Sequence, residues 1–163
     1  MKKRFIVTII LAALLIGWMT LIFLLSCEDG DKSGKTSTNI ATEISEIIAP
    51  SKPATETERI IQDHQKTIRK SAHVLMYMVL GVLAASLVES ALDTTLSNKF
   101  VISSSFSIFY AATDELHQFF VKGRSGLAED LCLDAVAILV SAAFVFAVVE
   151  IYKKVKAKKV YIS

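Results

Sequence analysis

The chain has 163 residues, 53% of them hydrophobic, and a mean hydropathy of +0.50. That is too apolar for an ordinary soluble domain, and the length suits a single domain. A net charge of +2 argues against a strongly basic nucleic-acid binder, and six glycines with two prolines exclude collagen-like and proline-rich classes.

Four apolar runs follow one another. The first, residues 5–25, comes after Lys2, Lys3 and Arg4, carries no charge, and has Trp18 near its far end. A helix needs roughly 20 residues to cross a bilayer, so this run suffices. The tetrapeptide Leu24-Leu25-Ser26-Cys27 loosely fits a lipoprotein cleavage site, with leucine a poor fit at its middle position. The length of the run favours a retained helix. Residues 26–70 form a polar segment holding both prolines. Ile40, Ile44, Ile47 and Ile48 recur there at helical spacing, which predicts a short surface helix over 40–48. Residues 56–66 are helix-compatible and lead into the second run, 71–91. The third run, 100–121, carries Asp114, Glu115, His117 and Gln118 in its last third, and the fourth, 131–150, carries Asp134 near its start. A basic tail occupies 152–163. An open four-stranded sheet would leave edge groups unpaired in lipid, so the runs predict an all-α, integral membrane four-helix bundle. Cys27 and Cys132 form no C-x-x-C motif, and two buried thiols are expected in preference to a disulfide.

Positive charge sets the expected orientation. Lys2, Lys3 and Arg4, and the tail Lys153, Lys154, Lys156, Lys158 and Lys159, should both remain in the cytoplasm, which four spans allow. The second helix then starts outside, the third ends outside and the fourth starts outside. The polar residues fall at those three tips: Arg69, Lys70 and His73; Asp114, Glu115, His117 and Gln118; Arg124, Asp130 and Asp134. Arg69, His73 and Tyr77 succeed one another at intervals of four and share a helix face, as do Asp114 with Gln118 and Asp130 with Asp134. Asp114 should lie about 9 Å deeper than Phe120, by the helical rise. An ionisable group at that depth costs several kcal/mol unless paired or wet, so it should face the bundle interior, with Arg69 and Arg124 as natural partners. Adjacent carboxylates point about 100° apart on a helix, which favours Asp114 as the buried one and leaves Glu115 for a neighbouring helix.

Three blocks of this sequence resemble the VanZ-like family of membrane proteins. Trp18-Met19-Thr20-Leu21-Ile22-Phe23 with Ser26 is similar to the end of that family's first helix. Ile68-Arg69-Lys70-Ser71-Ala72-His73 with Tyr77 and Leu80-Gly81 resembles its second. Asp114-Glu115-Leu116-His117-Gln118-Phe119-Phe120-Val121, then Gly123-Arg124-Ser125-Gly126 and Asp130-x-x-x-Asp134, resembles its third-to-fourth helix region. Met76, Lys122 and Ala137 depart from residues frequent in the family. The resemblance implies a bacterial plasma-membrane protein of the cell envelope, associated with resistance to the glycopeptide antibiotic teicoplanin. The molecular activity of the family is unsettled.

The residues leave three function classes open. In the first, an outward-facing polar pocket binds an anionic envelope lipid, a lipid-linked cell-wall intermediate or a glycopeptide. Its lining is Arg69, Lys70, Tyr77, Glu115, His117, Gln118, Arg124, Ser125, Asp130 and Asp134, with arginines suited to phosphate. In the second, the same pocket belongs to an enzyme with His73 and Asp114 as acid and base. In the third, the polar groups only hold helices together or to a partner chain, a second copy included. Lys70 has a plain reading as an interfacial anchor, and Arg124 as a loop cation paired with Asp130. Serines 103, 104, 105 and 107 are explained by close helix packing, without a nucleophile elbow. His73 and His117 could also join Asp114 or Glu115 as metal ligands, against the plain reading of hydrogen-bonded structural histidines near the interface. No H-x-x-x-H, H-E-x-x-H or glycine-rich phosphate loop occurs, so no metal, nucleotide or other cofactor is expected.

Overall fold

In the computed structural model the described residues form an all-α membrane bundle of four helices. The structure describes residues 2–28, 65–122 and 128–160, and the single positions 35, 39, 42 and 43. The surface helix expected over 40–48 and the lead-in over 56–64 lie outside the described residues. The helices are α1 (Lys2–Ser26), α2 (Gln65–Ala91), α3 (Leu96–Phe119) and α4 (Ala128–Val160). Three helical stretches, Lys2–Ser26, Lys70–Ala91 and Glu129–Lys158, are long and apolar enough to cross a membrane. At 24 residues α3 is about 36 Å long, enough to span, but its inward face is polar.

Each helix buries one narrow face. In α1 it is Leu15, Ile22 and Ser26, while Phe5, Ile9, Ile16 and Leu24 remain exposed as lipid-facing residues do. In α2 it is Tyr77, Leu80, Gly81, Ala84 and Ala85, spaced as one helical face. In α4 it is Asp134, Ala137, Ile138, Ser141, Ala142 and Phe146. The inward face of α3 reads Lys99, Ser103, Ser104, Ser107, Ala111, Asp114, Glu115 and Gln118. Ser103 and Ser107 return their hydroxyls to the carbonyls of Phe100 and Ser103, at 3.2 and 2.9 Å. Small residues let backbones approach where lipid offers no hydrophobic drive between helices.

Helix α2 packs against all three others, and α4 lies against α2 and α3. Gly81 sits where α2 closely meets α4. A Cβ there would meet the Ser141 hydroxyl, and would lie 3.0 Å from the Ile138 carbonyl oxygen and 3.2 Å from Ile138 Cα. Trp18 Nε1 donates to the Met76 carbonyl (2.9 Å) and Tyr110 Oη to the Met19 carbonyl (2.6 Å), fastening α1 to α2 and α3.

One end of the bundle is an ionic collar that the sequence reading passes over. Glu89 accepts from Lys99 Nζ at 2.8 Å and meets Lys153 Nζ at 2.9 Å, joining the end of α2 to the start of α3 and the far part of α4. Lys99 is buried there. Arg4 donates to the Ser90 carbonyl (2.7 Å) and to Asp93 (2.8 Å). The Arg4 guanidinium holds the Asp93 carboxyl below its ordinary range. Thr95 caps α3, its hydroxyl accepting from the Asn98 amide at 3.3 Å. Helix α4 continues through the lysine stretch read from sequence as a tail, as far as Val160. Cys27 and Cys132 are both free, and both are exposed, contrary to the expectation of burial. Cys27 falls in the turn after α1, and Cys132 lies on the outer face of α4, where lipid can cover a thiol.

Candidate functional site

The opposite end gathers side chains from all four helices. The last turn of α1 supplies Ser26, the first half of α2 supplies Lys70, His73 and Tyr77, the last turns of α3 supply Asp114, Glu115 and Gln118, and the start of α4 supplies Asp130 and Asp134. Alternating helix directions bring these tips together, with the ionic collar at the other end.

Asp114 is the hub. Its Oδ2 accepts from Ser26 Oγ (2.8 Å), Tyr77 Oη (2.8 Å) and Gln118 Nε2 (2.7 Å), so one oxygen ties α1, α2 and α3 together. The Gln118 nitrogen also lies 3.2 Å from Ser26 Oγ and 3.3 Å from His73 Nε2. Asp114 is 3% exposed and Tyr77 0%. Donors aimed at one oxygen fix the rotamer of the carboxylate and turn its other oxygen, Oδ1, toward a position where it has no hydrogen-bond partner.

His73 is the second focus. Its Nε2 lies 3.7 Å from Glu115 Oε1, 3.8 Å from Asp114 Oδ2 and 3.9 Å from Asp134 Oδ2. Its ring stands edge-on to Tyr77, with centroids 5.1 Å apart. Asp134 is 1% exposed and Glu115 8%. Glu115 Oε2 and Asp134 Oδ2 are buried without a hydrogen-bond partner. The expectation that only one of Asp114 and Glu115 would face the interior is corrected. Helix α3 has a neighbour on either side, α2 and α4, so residues 100° apart both turn inward.

The rim adds two further contacts. Lys70 Nζ pairs with Asp130 Oδ1 at 2.7 Å, so the start of α4 meets a cation from α2. His117 stands apart from His73, with its Nε2 3.4 Å from Cys27 Sγ and its ring 5.1 Å from that of Phe23. Arg69 falls within α2, but its side chain lies outside the described residues, as do Arg124 and Ser125. Among the described residues, the basic group closest to Asp114, Glu115 and Asp134 is His73.

The sequence reading missed Ser26 as a member of the site. Its position at the end of an apolar run, beside the resembling first-helix block, was the available signal. The sequence places His73, Glu115 and Asp134 at converging tips, and the structure adds that their donor atoms all lie within 4.8 Å of one another. These three come from three different helices, so no linear motif announces them.

A model of the VanZ/LLP1 family matches residues 11–149. The chain belongs to that family. The match runs from within α1 to about two thirds of the way along α4 and includes every residue of the site. No curated protein and no solved structure matches the chain. The geometry offers two capacities: a histidine among carboxylates for proton transfer, and a set of nitrogen and oxygen donors for a cation.

Proposed function

We propose that this VanZ-family chain is a multi-pass protein of the bacterial plasma membrane. Its polar end binds an anionic envelope lipid or lipid-linked cell-wall intermediate, and so lowers susceptibility to glycopeptide antibiotics such as teicoplanin. The observation that carries the proposal is the gathering of buried carboxylates, a histidine and other polar side chains from the four described helices at one end of the bundle. Buried ionisable groups within membrane helices are expensive and mark ligand or proton pathways.

The outward orientation rests on charge. Lys2, Lys3 and Arg4 begin α1, and Lys153, Lys154, Lys156 and Lys158 lie late in α4, both at the collar end. By the positive-inside rule that end is cytoplasmic and the polar site faces out. Lys70, with Arg69 beside it in sequence and Arg124 in the stretch between α3 and α4, supplies the cations that a phosphate or pyrophosphate would meet first.

A second reading, an acid/base enzyme acting on the same class of lipid, is favoured by one specific observation. His73 stands within 4 Å of three carboxylates, Asp114, Glu115 and Asp134. An imidazole so placed can carry a proton to or from a bound headgroup.

Teicoplanin susceptibility of cells producing the wild-type chain, Arg124→Ala or Asp114→Asn tests the binding reading. The wild type should protect, and both variants should lose protection at equal membrane abundance. Full protection by both variants would overturn the proposal, and disappearance of both proteins would favour a purely structural cluster. Incubation of purified protein with labelled envelope lipids separates the two readings: a change of lipid mass identifies turnover, and retention without change identifies binding.

A further inference from the structure

We propose that His73, Glu115 and Asp134 form a binding site for one divalent transition-metal ion. Three observations converge on it. The donor atoms of the three residues lie within 4.8 Å of one another, with His73 Nε2 at 3.7 Å from Glu115 Oε1 and 3.9 Å from Asp134 Oδ2. Around an ion with bonds of about 2.1 Å, tetrahedral neighbours stand roughly 3.4 Å apart, so the separations to His73 would close by less than about 0.5 Å and that between the two carboxylates by at most about 1.4 Å. Second, the carboxylates aimed into the cluster are deeply buried and incompletely satisfied. The Asp134 side chain is 1% exposed and that of Glu115 9%, and Asp134 Oδ2 and Glu115 Oε2 have no hydrogen-bond partner. Orphaned buried acceptors of this kind call for an unseen ion, water or proton. Third, three carboxylates face one imidazole. The nearby Lys70 ammonium is engaged with Asp130, and Asp114 directs Oδ2 to three donors. Among the described residues the acidic groups of the cluster outnumber the basic ones, and a dication supplies the balance.

The donor set sets the class of ion. One imidazole nitrogen with carboxylate oxygens suits borderline ions such as Zn2+ or Mn2+ better than all-oxygen ions such as Ca2+ or Mg2+. Asp114 takes the outer position. Its Oδ2 lies 3.8 Å from His73 Nε2 but is occupied by Ser26, Tyr77 and Gln118, so it orients the cluster without ligating. Three protein ligands leave a coordination position open.

The proposal is independent of the lipid reading, because it is tested on the purified chain alone. Full-length protein in detergent is stripped with a chelator, reloaded with Zn2+, desalted and assayed by elemental analysis and titration calorimetry. The expected result is one Zn2+ per chain, with affinity reduced at least tenfold in Asp134→Asn and in His73→Gln and left unchanged in His117→Gln. Helical circular dichroism checks that each variant is folded. Since a variant can fail to fold, the native sequence is also loaded with Co2+, whose visible absorption reports nitrogen and oxygen ligation directly. Loss of Zn2+ binding only in His117→Gln would overturn the proposal, as would a folded wild-type chain that binds neither Zn2+ nor Co2+. Metal binding without lipid binding would leave this site standing and remove the function proposed above, and the reverse result would do the opposite.

Discussion

Gly81→Ala is expected to destabilise the bundle while Gly17→Ala does not, and the contrast measures how closely α2 and α4 meet. Both glycines lie inside helices, so both substitutions gain the same intrinsic preference for alanine, about 1 kcal/mol. They differ in what the new methyl group touches. At Gly17 nothing lies within 4 Å. At Gly81 the methyl meets the Ser141 hydroxyl and approaches the Ile138 carbonyl oxygen to 3.0 Å and Ile138 Cα to 3.2 Å. The hydroxyl can rotate, at the cost of its 3.0 Å bond to the Ile138 carbonyl, but the Ile138 backbone can yield only if α4 moves. Overpacking of this kind costs roughly 1–3 kcal/mol. The shared preference cancels in the comparison, so Gly81→Ala should be about 1–3 kcal/mol less stable than Gly17→Ala. Reversible unfolding in mixed micelles, followed by helical circular dichroism, gives that difference. A gap below about 0.5 kcal/mol would refute the argument that bare backbone contact sets the α2–α4 spacing. The consequence reaches the site. His73 precedes Gly81 by about two turns and Asp134 precedes Ile138 by about one, so parting the helices should lengthen the 3.9 Å approach of His73 to Asp134 and weaken any ligand held there.

Four other outcomes are expected. Asp114→Ala removes the acceptor of two interhelical bonds; at about 0.6 to 1.7 kcal/mol for each in a membrane, it should cost roughly 1–3 kcal/mol in the same unfolding assay, while Asp114→Asn, which keeps an acceptor oxygen, should cost less. Equal losses in the two variants would contradict the hub role of Oδ2. Trp18→Phe should lose about 0.6 to 1.7 kcal/mol through its bond to the Met76 carbonyl, and an unchanged unfolding midpoint would remove that bond from the account. Because Arg4 lowers the Asp93 carboxyl, their pair stabilises the folded chain above the ordinary aspartate value of 3.8 and releases as pH falls through the lowered one; hydrogen exchange in the α2–α3 turn should rise there in wild type and be flat in Asp93→Asn. In a Cys27→Ser, Cys132→Ser background, an impermeant thiol reagent on intact cells should label Arg69→Cys and Arg124→Cys but not Asp93→Cys; the reverse pattern would place the site inside the cell.

The sequence made the class of fold plain because lipid removes ambiguity: long uncharged runs in a membrane have to be helical. It also placed Asp114, Glu115, His73 and Asp134 at converging tips, since charge patterning dictates which ends lie together. What it could not supply was the azimuth of each helix about its axis. That angle decides that Glu115 turns inward beside Asp114, that His117 turns toward Cys27, and that Lys70 takes Asp130. Lys99 shows the same limit. Nothing local in the sequence marks it, yet Glu89 on α2 draws it into a buried pair. Ser26 was legible only as part of a resemblance, because a serine at the end of an apolar helix has no character until a partner 88 positions away is known.

The hydroxyl of Ser26 also bears on how this chain can mature. It is the residue immediately before Cys27, so a peptidase acting at that cysteine would carry away the Asp114 donor, the indole bonded to Met76 and the whole helix between them. The remaining three helices would keep an acidic centre stripped of its lid. Lipoprotein processing and an intact polar end are thus mutually exclusive fates for one polypeptide, and the mass of the protein recovered from membranes tells which of them a cell has chosen.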